Sequence, residues 1–503
     1  SFSNFELESF YWIQVYKFAS TTRPDRPMID NHGIWSTNST YGFATWDYNV
    51  QATYRMHLTA NFADFGKPLL KFLEDNFNEK SMWNEEYGEY RAGMRQQTFL
   101  RYRFFDKKFW EHGEEMPCEG PAKFLWGVHN YLMHYRHSLD PAMIPHMILM
   151  LEAGINAMIA GMKIEDDGFY HIPYGRSWEA WHGKDPTVLL AVIRWALITA
   201  IEYSDSPEKT KKWREILKKI TPYHKNENGI MLGEGQEPIN HRHWSQLMML
   251  YPLDICDHQN PIENQILKKS IDFWADLSTG IKGGLPDALF ACPAAIALYA
   301  YLKAEFKDLD TSIIPQIADI FLYGDTLRNP GLWPSTMHSE WTGPVIEAPI
   351  FMASSIQECF LQSRKDGIHI FPAVPSEWPD AIFSDWHAEG NFLFSALRKD
   401  GVTEWISIQS LSGEPTKIYT DMQLEDIYWN GVKNSVSEGI KIIDEGSVEL
   451  HLKKGERLIL SKNLSPDIKI KSVSKKIGLP NSFGLNKIFL EKRPDYEDKV
   501  RKV

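Results

Sequence analysis

The sequence predicts a mainly α chain followed by a small antiparallel β-domain, and three observations predict it. From Phe5 to about residue 364, apolar residues recur at helical spacing in about a dozen blocks. At Gly367 the texture changes, and from Asn391 to Leu460 alternation of period two dominates, with turns such as Asn430-Gly431 and Lys454-Gly455. Helices in one block and strands in another mean segregated architecture rather than βαβ units. The expected division is a helical domain over 1–366, a β-domain over 367–462 and a lysine-rich surface tail over 463–503.

The elements follow in order. Phe5 to Phe18 reads as a helix. Residues 20–46 form a long loop around Arg23-Pro24-Asp25-Arg26-Pro27, and so long a loop is usually functional. Helix is expected from about Tyr48 to Leu73, breaking near Gly66-Lys67-Pro68, and again over 92–110. After the break at Pro117 to Gly120 come helices over 122–137 and 143–162. Pro186 then opens an almost continuously apolar helix, Thr187 to Tyr203; proline costs nothing there because its missing donor would be unpaired anyway. Pro207 to Ile220 is amphipathic and basic, hence a surface helix. Further helices are expected at 243–250, 261–276, 286–305, 311–323 and 347–364, and a short strand at Ile368 to Phe371.

Composition narrows the function. The chain has 503 residues, 13% of them aromatic, including 18 Trp, and a net charge of -12 with no basic run before the last forty residues. No nucleic-acid partner is expected from such a charge pattern. Four scattered cysteines form no CxxC, and Cys292 and Cys359 lie in apolar helical patterns as buried thiols. No apolar run reaches about 18 residues, so no membrane span is expected. Residue 1 opens almost directly into a helix with no signal peptide in view, so the chain is expected to be processed or to begin inside a longer protein.

Three stretches carry candidate chemistry. Tyr170 to Trp181 sits between two periodic helices and holds one carboxylate, Glu179, flanked by Trp178 and Trp181 with Arg176 before it. An acid among indoles resists ionising, as a general acid must; the plainer reading is a loop acid bonded to Arg176. Trp46-Asp47-Tyr48-Asn49 opens a helix, where Asp47 and Asn49 can converge, or Asp47 can simply cap it. Glu347 stands where a helix begins, beyond Glu340-Trp341; the plain role is interaction with the helix dipole, the functional one a second carboxylate facing Glu179. His241-Arg242-His243 looks metal-like, but there is no HExxH, and hydroxyl recognition or a structural role is preferred. With no GxSxG, phosphate loop or dinucleotide fingerprint in the sequence, hydrolysis by paired carboxylates is the surviving chemistry.

Four passages in order carry a family resemblance. They are Tyr16-Lys-Phe-Ala-Ser-Thr-Thr-Arg-Pro; Met116-Pro-Cys-Glu-Gly-Pro-Ala running on to His134-Tyr-Arg; Asn240-His-Arg-His-Trp-Ser-Gln-Leu-Met-Met-Leu-Tyr-Pro; and Gln362-Ser-Arg-Lys-Asp-Gly-Ile-His-Ile-Phe-Pro-Ala-Val-Pro-Ser-Glu-Trp. From about Tyr16 to Leu460 the chain resembles glycoside hydrolase family 95, the inverting 1,2-α-L-fucosidases and related α-L-galactosidases. The resemblance implies an (α/α)6 barrel with the active site at one mouth, a C-terminal β-domain, and an N-terminal β-domain that has no counterpart here. It implies no metal or organic cofactor. It places the general acid on Glu179, the water-holding pair on Asp47 and Asn49, and the acid that polarises them on Glu347.

Three departures accompany it: Asp47 replaces an amide, Glu347 replaces an Asp, and Trp178 replaces a Pro. Asp47 could deprotonate water directly, and repulsion from Glu347 would hold one of the two protonated. Trp46, Arg176, Trp181, His241, His243, His338 and Trp341 are the candidate sugar contacts, each equally readable as barrel packing. The resulting expectation is an exo-acting inverting hydrolase that releases a terminal α-linked L-sugar from oligo- or polysaccharide, with fucose first and galactose or a modified L-sugar as competitors. A secreted or periplasmic location follows from that substrate class. A catalytically silent sugar-binding relative, or a lyase or phosphorylase on a similar barrel, are the alternatives.

Overall fold

A computed structural model describes residues 1–35, 44–46, 48–77, 83–84, 89–90, 118–257, 260–281, 290–306, 309–324, 332, 336–340, 343–433, 439–468 and 470–473. The helix expected over 92–110, and the candidates Asp47 and Trp341, lie outside the described residues.

Among the described residues twelve α-helices precede the main strands: α1 Phe5–Thr21, α2 Asn49–Thr53, α3 Met56–Thr59, α4 Lys67–Asn76, α5 Glu119–Ser138, α6 Met143–Gly161, α7 Thr187–Tyr203, α8 Pro207–Lys218, α9 Pro261–Ser278, α10 Ala291–Glu305, α11 Ile313–Tyr323 and α12 Glu347–Phe360. Their ends are chemically marked. The side chain of Asn4 accepts the Leu7 N–H at the start of α1, and Asn260 caps α9 ahead of Pro261. Leu139 closes α5 in the left-handed region. α7 is buried along nearly its whole length, as its apolar run requires.

Three expectations need correction. The helix expected over 48–73 is four pieces, α2, α3, a 3-10 turn at Ala63–Gly66 and α4. Residues 243–250 form no α-helix but a 3-10 turn at Ser245–Leu247. The helix expected over 347–364 stops at Phe360, because Leu361–Arg364 pairs antiparallel with Gly367–Ile370 instead. In addition, α6 is long and apolar enough, by length and composition, to cross a membrane. Half of that stretch is buried, and Met147, Leu151, Ile155 and Met158 pack it between α5 and α7.

α12 is central: it packs against α1, α2, α3 and α10. Beyond it the strands form a five-stranded and a six-stranded sheet. Pairing is antiparallel except where Gly367–Ile370 runs parallel to Thr416–Tyr419. The six-stranded sheet is built on long hairpins with pairs such as Phe394↔Ile408 and Ile406↔Leu460, so alternate apolar residues share its buried face. Strands and helices are tied together. Ser1 N–H bonds the carbonyl of Ile382, Gly390 N–H that of Arg136, and the Asn391 amide that of Ser138. All four cysteines are free thiols.

Candidate active site

The stretch that sequence periodicity leaves unassigned is a hairpin. Gly175–Ser177 pairs with Trp181–Gly183, placing Gly175 opposite Gly183 and Ser177 opposite Trp181. At its tip Trp178 and Glu179 both hold positive φ, 24° and 66°. Non-glycine residues rarely sit there, and such strain survives only where the surroundings enforce it. The enforcement is visible at Trp178. Its indole is fully buried and stacks on Trp126 at 5.0 Å, and its carbonyl accepts from His243 Nδ1 at 2.8 Å. Glu179 does not follow it inward: its side chain is 39% exposed. The expected wall of indoles around the carboxyl therefore does not form. Trp178 is core, and Trp181 packs in the space that the missing side chains of Gly183 and Gly233 leave.

A buried clasp closes the base of this loop. Asp185 is fully buried and accepts the Ile172 N–H at 2.7 Å and His171 Nδ1 at 2.6 Å, while its own N–H bonds the Ile172 carbonyl. His171 Nε2 lies 3.0 Å from Asp167. Burial alone would lower the His171 pKa, but the bonds to Asp185 and Asp167 outweigh it and raise it.

The cation on Glu179 is Arg242, not Arg176. One guanidinium nitrogen of Arg242 pairs with Glu179 Oε2, and the arginine side chain is 23% exposed. Arg176 sits across the hairpin from His182. On either side of Arg242, His241 and His243 turn inward; their rings meet edge to face at 4.7 Å. Burial, then the charges of His241 and Arg242, hold the His243 pKa well below its ordinary value. Tyr48, itself buried at φ 87°, stacks on His243 at 4.0 Å and donates to Ser245 Oγ. The edges of Trp126, Trp178 and Trp244 surround it.

The next residue reaches the second carboxylate. Asn49 Nδ2 donates to Glu347 Oε1 at 3.0 Å. Glu347 is the first residue of α12 and only 1% exposed. The positive end of the helix dipole favours an anion at that place. His338 stands opposite Val345 in the short hairpin that leads into Ile346 and Glu347. It is buried, and neither ring nitrogen has a hydrogen-bond partner among the described residues. Burial, then the charge of Arg242, depresses its pKa to about 3. A neutral imidazole offers one donor and one acceptor, which matches a hydroxyl group.

Residues 48 and 49 thus touch both halves of the site, one facing the Glu179 loop and the other α12. The structure brings Glu179, His241 and His243 together, pairs Asn49 with Glu347, and sets His338 in the hairpin that leads into Glu347. Trp46 instead packs beneath, against Phe72 and Gly127. Tyr48, Arg242, Trp126 and Asp185 were not identified from sequence. Arg242 could have been, since it lies between two histidines that were. Glu179, His241 and His243 also bring their ligating atoms within 4.8 Å of one another, so they could hold a metal ion.

No family model matches the sequence, and no curated protein matches it. Among solved structures the fold is similar to that of an α-L-rhamnosidase from Dictyoglumus thermophilum, with a TM-score of 0.52, 12% identity and 92% of this chain covered. A kojibiose phosphorylase from the human microbiome aligns with a TM-score of 0.48 and 10% identity over 91% of this chain and 62% of that one. A GH76 α-mannanase from Bacteroides thetaiotaomicron aligns with a TM-score of 0.40 and 11% identity over 70% of this chain and 94% of that one. The chain spans about half the length of the rhamnosidase, whose fold it shares.

Proposed function

We propose that this protein is an exo-acting inverting glycoside hydrolase that removes a terminal α-linked L-sugar, fucose or galactose, from oligo- or polysaccharide. One observation carries the reading. The Glu179 loop and the Asn49–Glu347 pair meet on two adjacent residues, Tyr48 and Asn49. Glu179 is the proton donor to the leaving oxygen. Glu347 holds the Asn49 amide by its N–H, which turns and polarises the amide oxygen toward a water on the opposite face of the sugar. Inversion requires room for that water, so acid and water-holding groups belong about 6.5–9.5 Å apart. His338 and His241 read hydroxyls. The (α/α)6 ring, the boundaries at 366 and 462, the lack of a required cofactor, the membership in family 95 and a secreted or periplasmic location belong to the same proposal.

The Arg242 pair sets a condition on the mechanism. Bound substrate must separate Arg242 from Glu179 before the carboxyl can reach the leaving oxygen. That pairing also motivates the second reading, a sugar-binding protein without turnover. A panel of α-L-fucosides, α-L-galactosides and plant or algal oligosaccharides, followed by NMR of the released anomer, separates the two. Hydrolysis with inversion is expected; retention, or binding by calorimetry with no product, overturns the proposal. Glu179→Gln should lower kcat at least about 10²-fold on substrates with poor leaving groups, and an unchanged rate removes Glu179 from the chemistry.

A further inference from the structure

Because Arg242 lies between the two histidines in sequence yet pairs with the acid opposite them, Glu179 has two possible electrostatic partners. We propose that Glu179, His241 and His243 form a binding site for a borderline transition-metal cation of the Zn2+ class, which competes with Arg242 for the Glu179 carboxylate and blocks the site. This goes beyond the hydrolase reading, in which no metal takes part.

The donor set suits such an ion, since imidazole nitrogen and carboxylate oxygen are ordinary ligands of Zn2+ and Cu2+. The three ligating atoms already lie within 4.8 Å of one another. In a tetrahedral zinc site they would be about 3.4 Å apart, so a modest closure is needed. Glu179 supplies it, being the half-exposed member, while both imidazoles are buried.

His243 is already set for the task. Its Nδ1 faces the Trp178 carbonyl, which can only accept, so the proton sits on Nδ1 and the lone pair on Nε2. A ring nitrogen held by a backbone carbonyl is the usual support of a zinc-bound histidine. Two costs limit the affinity. His241 Nδ1 gives up the 3.2 Å bond it accepts from the His243 N–H, and Arg242 gives up Glu179. The second cost makes a prediction with an unusual sign: removing the arginine strengthens the metal site.

The test is calorimetric titration of the metal-free full chain with ZnCl2, with X-ray absorption at the zinc edge. Saturable binding with two imidazoles and one carboxylate oxygen is expected. Arg242→Ala should tighten it about tenfold. Glu179→Gln, at a half-exposed position that should leave folding intact, should weaken it by a similar factor. No binding to either wild type or Arg242→Ala, binding that Glu179→Gln leaves unchanged, or a shell without imidazole overturns the proposal. These readouts do not depend on turnover. Glycosidase activity with no zinc binding would sink the metal site and spare the hydrolase; zinc binding with no activity on any glycoside would do the reverse.

Discussion

α12 carries a fully buried glutamate at its first end and a mostly buried one near its last, and their surroundings differ. Glu347 opens the helix and accepts a hydrogen bond from a neutral amide, Asn49. Glu358, about 16 Å along the same axis, faces a full cation, with Arg55 Nη2 3.6 Å away and the guanidinium over the Tyr251 ring at 4.8 Å. At the first end the helix dipole favours negative charge; at the last turn it opposes it. Burial pushes the Glu358 carboxyl up to about 7, against the pull of Arg55. A buried acid matched by a cation is a structural element. A buried acid that holds an amide fixes how that amide is turned, and in the proposed mechanism the amide is where a substrate water would sit.

Substituting each glutamate in turn is the direct way to break this comparison. Glu347→Gln should cost the most in activity, lowering kcat about 10²–10³-fold while thermal stability changes little; steady-state kinetics beside calorimetry measures both. Equal loss at Glu358→Gln would erase the distinction between the two ends. Glu358→Ala should leave kcat intact and destabilise the fold by about 3 kcal/mol, because Arg55 stays behind uncompensated; denaturant unfolding reads it.

The pH dependence sharpens the same point. Since the folded pKa of Glu358 lies above the ordinary 4.5, its contribution is fully present below pH 4.5 and is lost as pH rises through about 7. Buried His57 and His137, whose pKa values are depressed, act oppositely and weaken the fold as pH falls below 6.5. The difference between wild-type and Glu358→Gln stability therefore isolates the glutamate, and a difference that is flat from pH 4.5 to 7 would contradict its assignment. The smallest effect belongs to the loop base. Asp185→Asn should reduce kcat about tenfold and speed amide exchange over 171–185, with KM less affected.

Much of the helical part was legible because an amphipathic or wholly apolar run such as 187–203 has one stable solution. The failures have physical causes. The stretch 48–73 has good periodicity, but Tyr48 takes φ 87° to reach His243, and Arg55 breaks the ladder to meet Glu358. Helix α12 ends early because its last expected turn gains more from strand pairing across Gly367, whose φ of 142° suits glycine. For the site, residue type pointed to Glu179, Asn49, Glu347 and the histidines. What sequence could not convey was partner choice: Arg176 was nearer in the chain, yet Arg242, 63 residues away, takes the acid. The left-handed tip that sends Trp178 inward and leaves Glu179 accessible has no signature in residue type either.

That tip has a consequence for anyone breeding a sturdier variant. At position 179 the backbone would relax if a glycine or asparagine replaced the glutamate, since both tolerate positive φ far better. Selection for heat tolerance alone should therefore enrich those two residues there, and on the proposed mechanism it would harvest robust, inert protein, so libraries meant to keep turnover need that codon frozen.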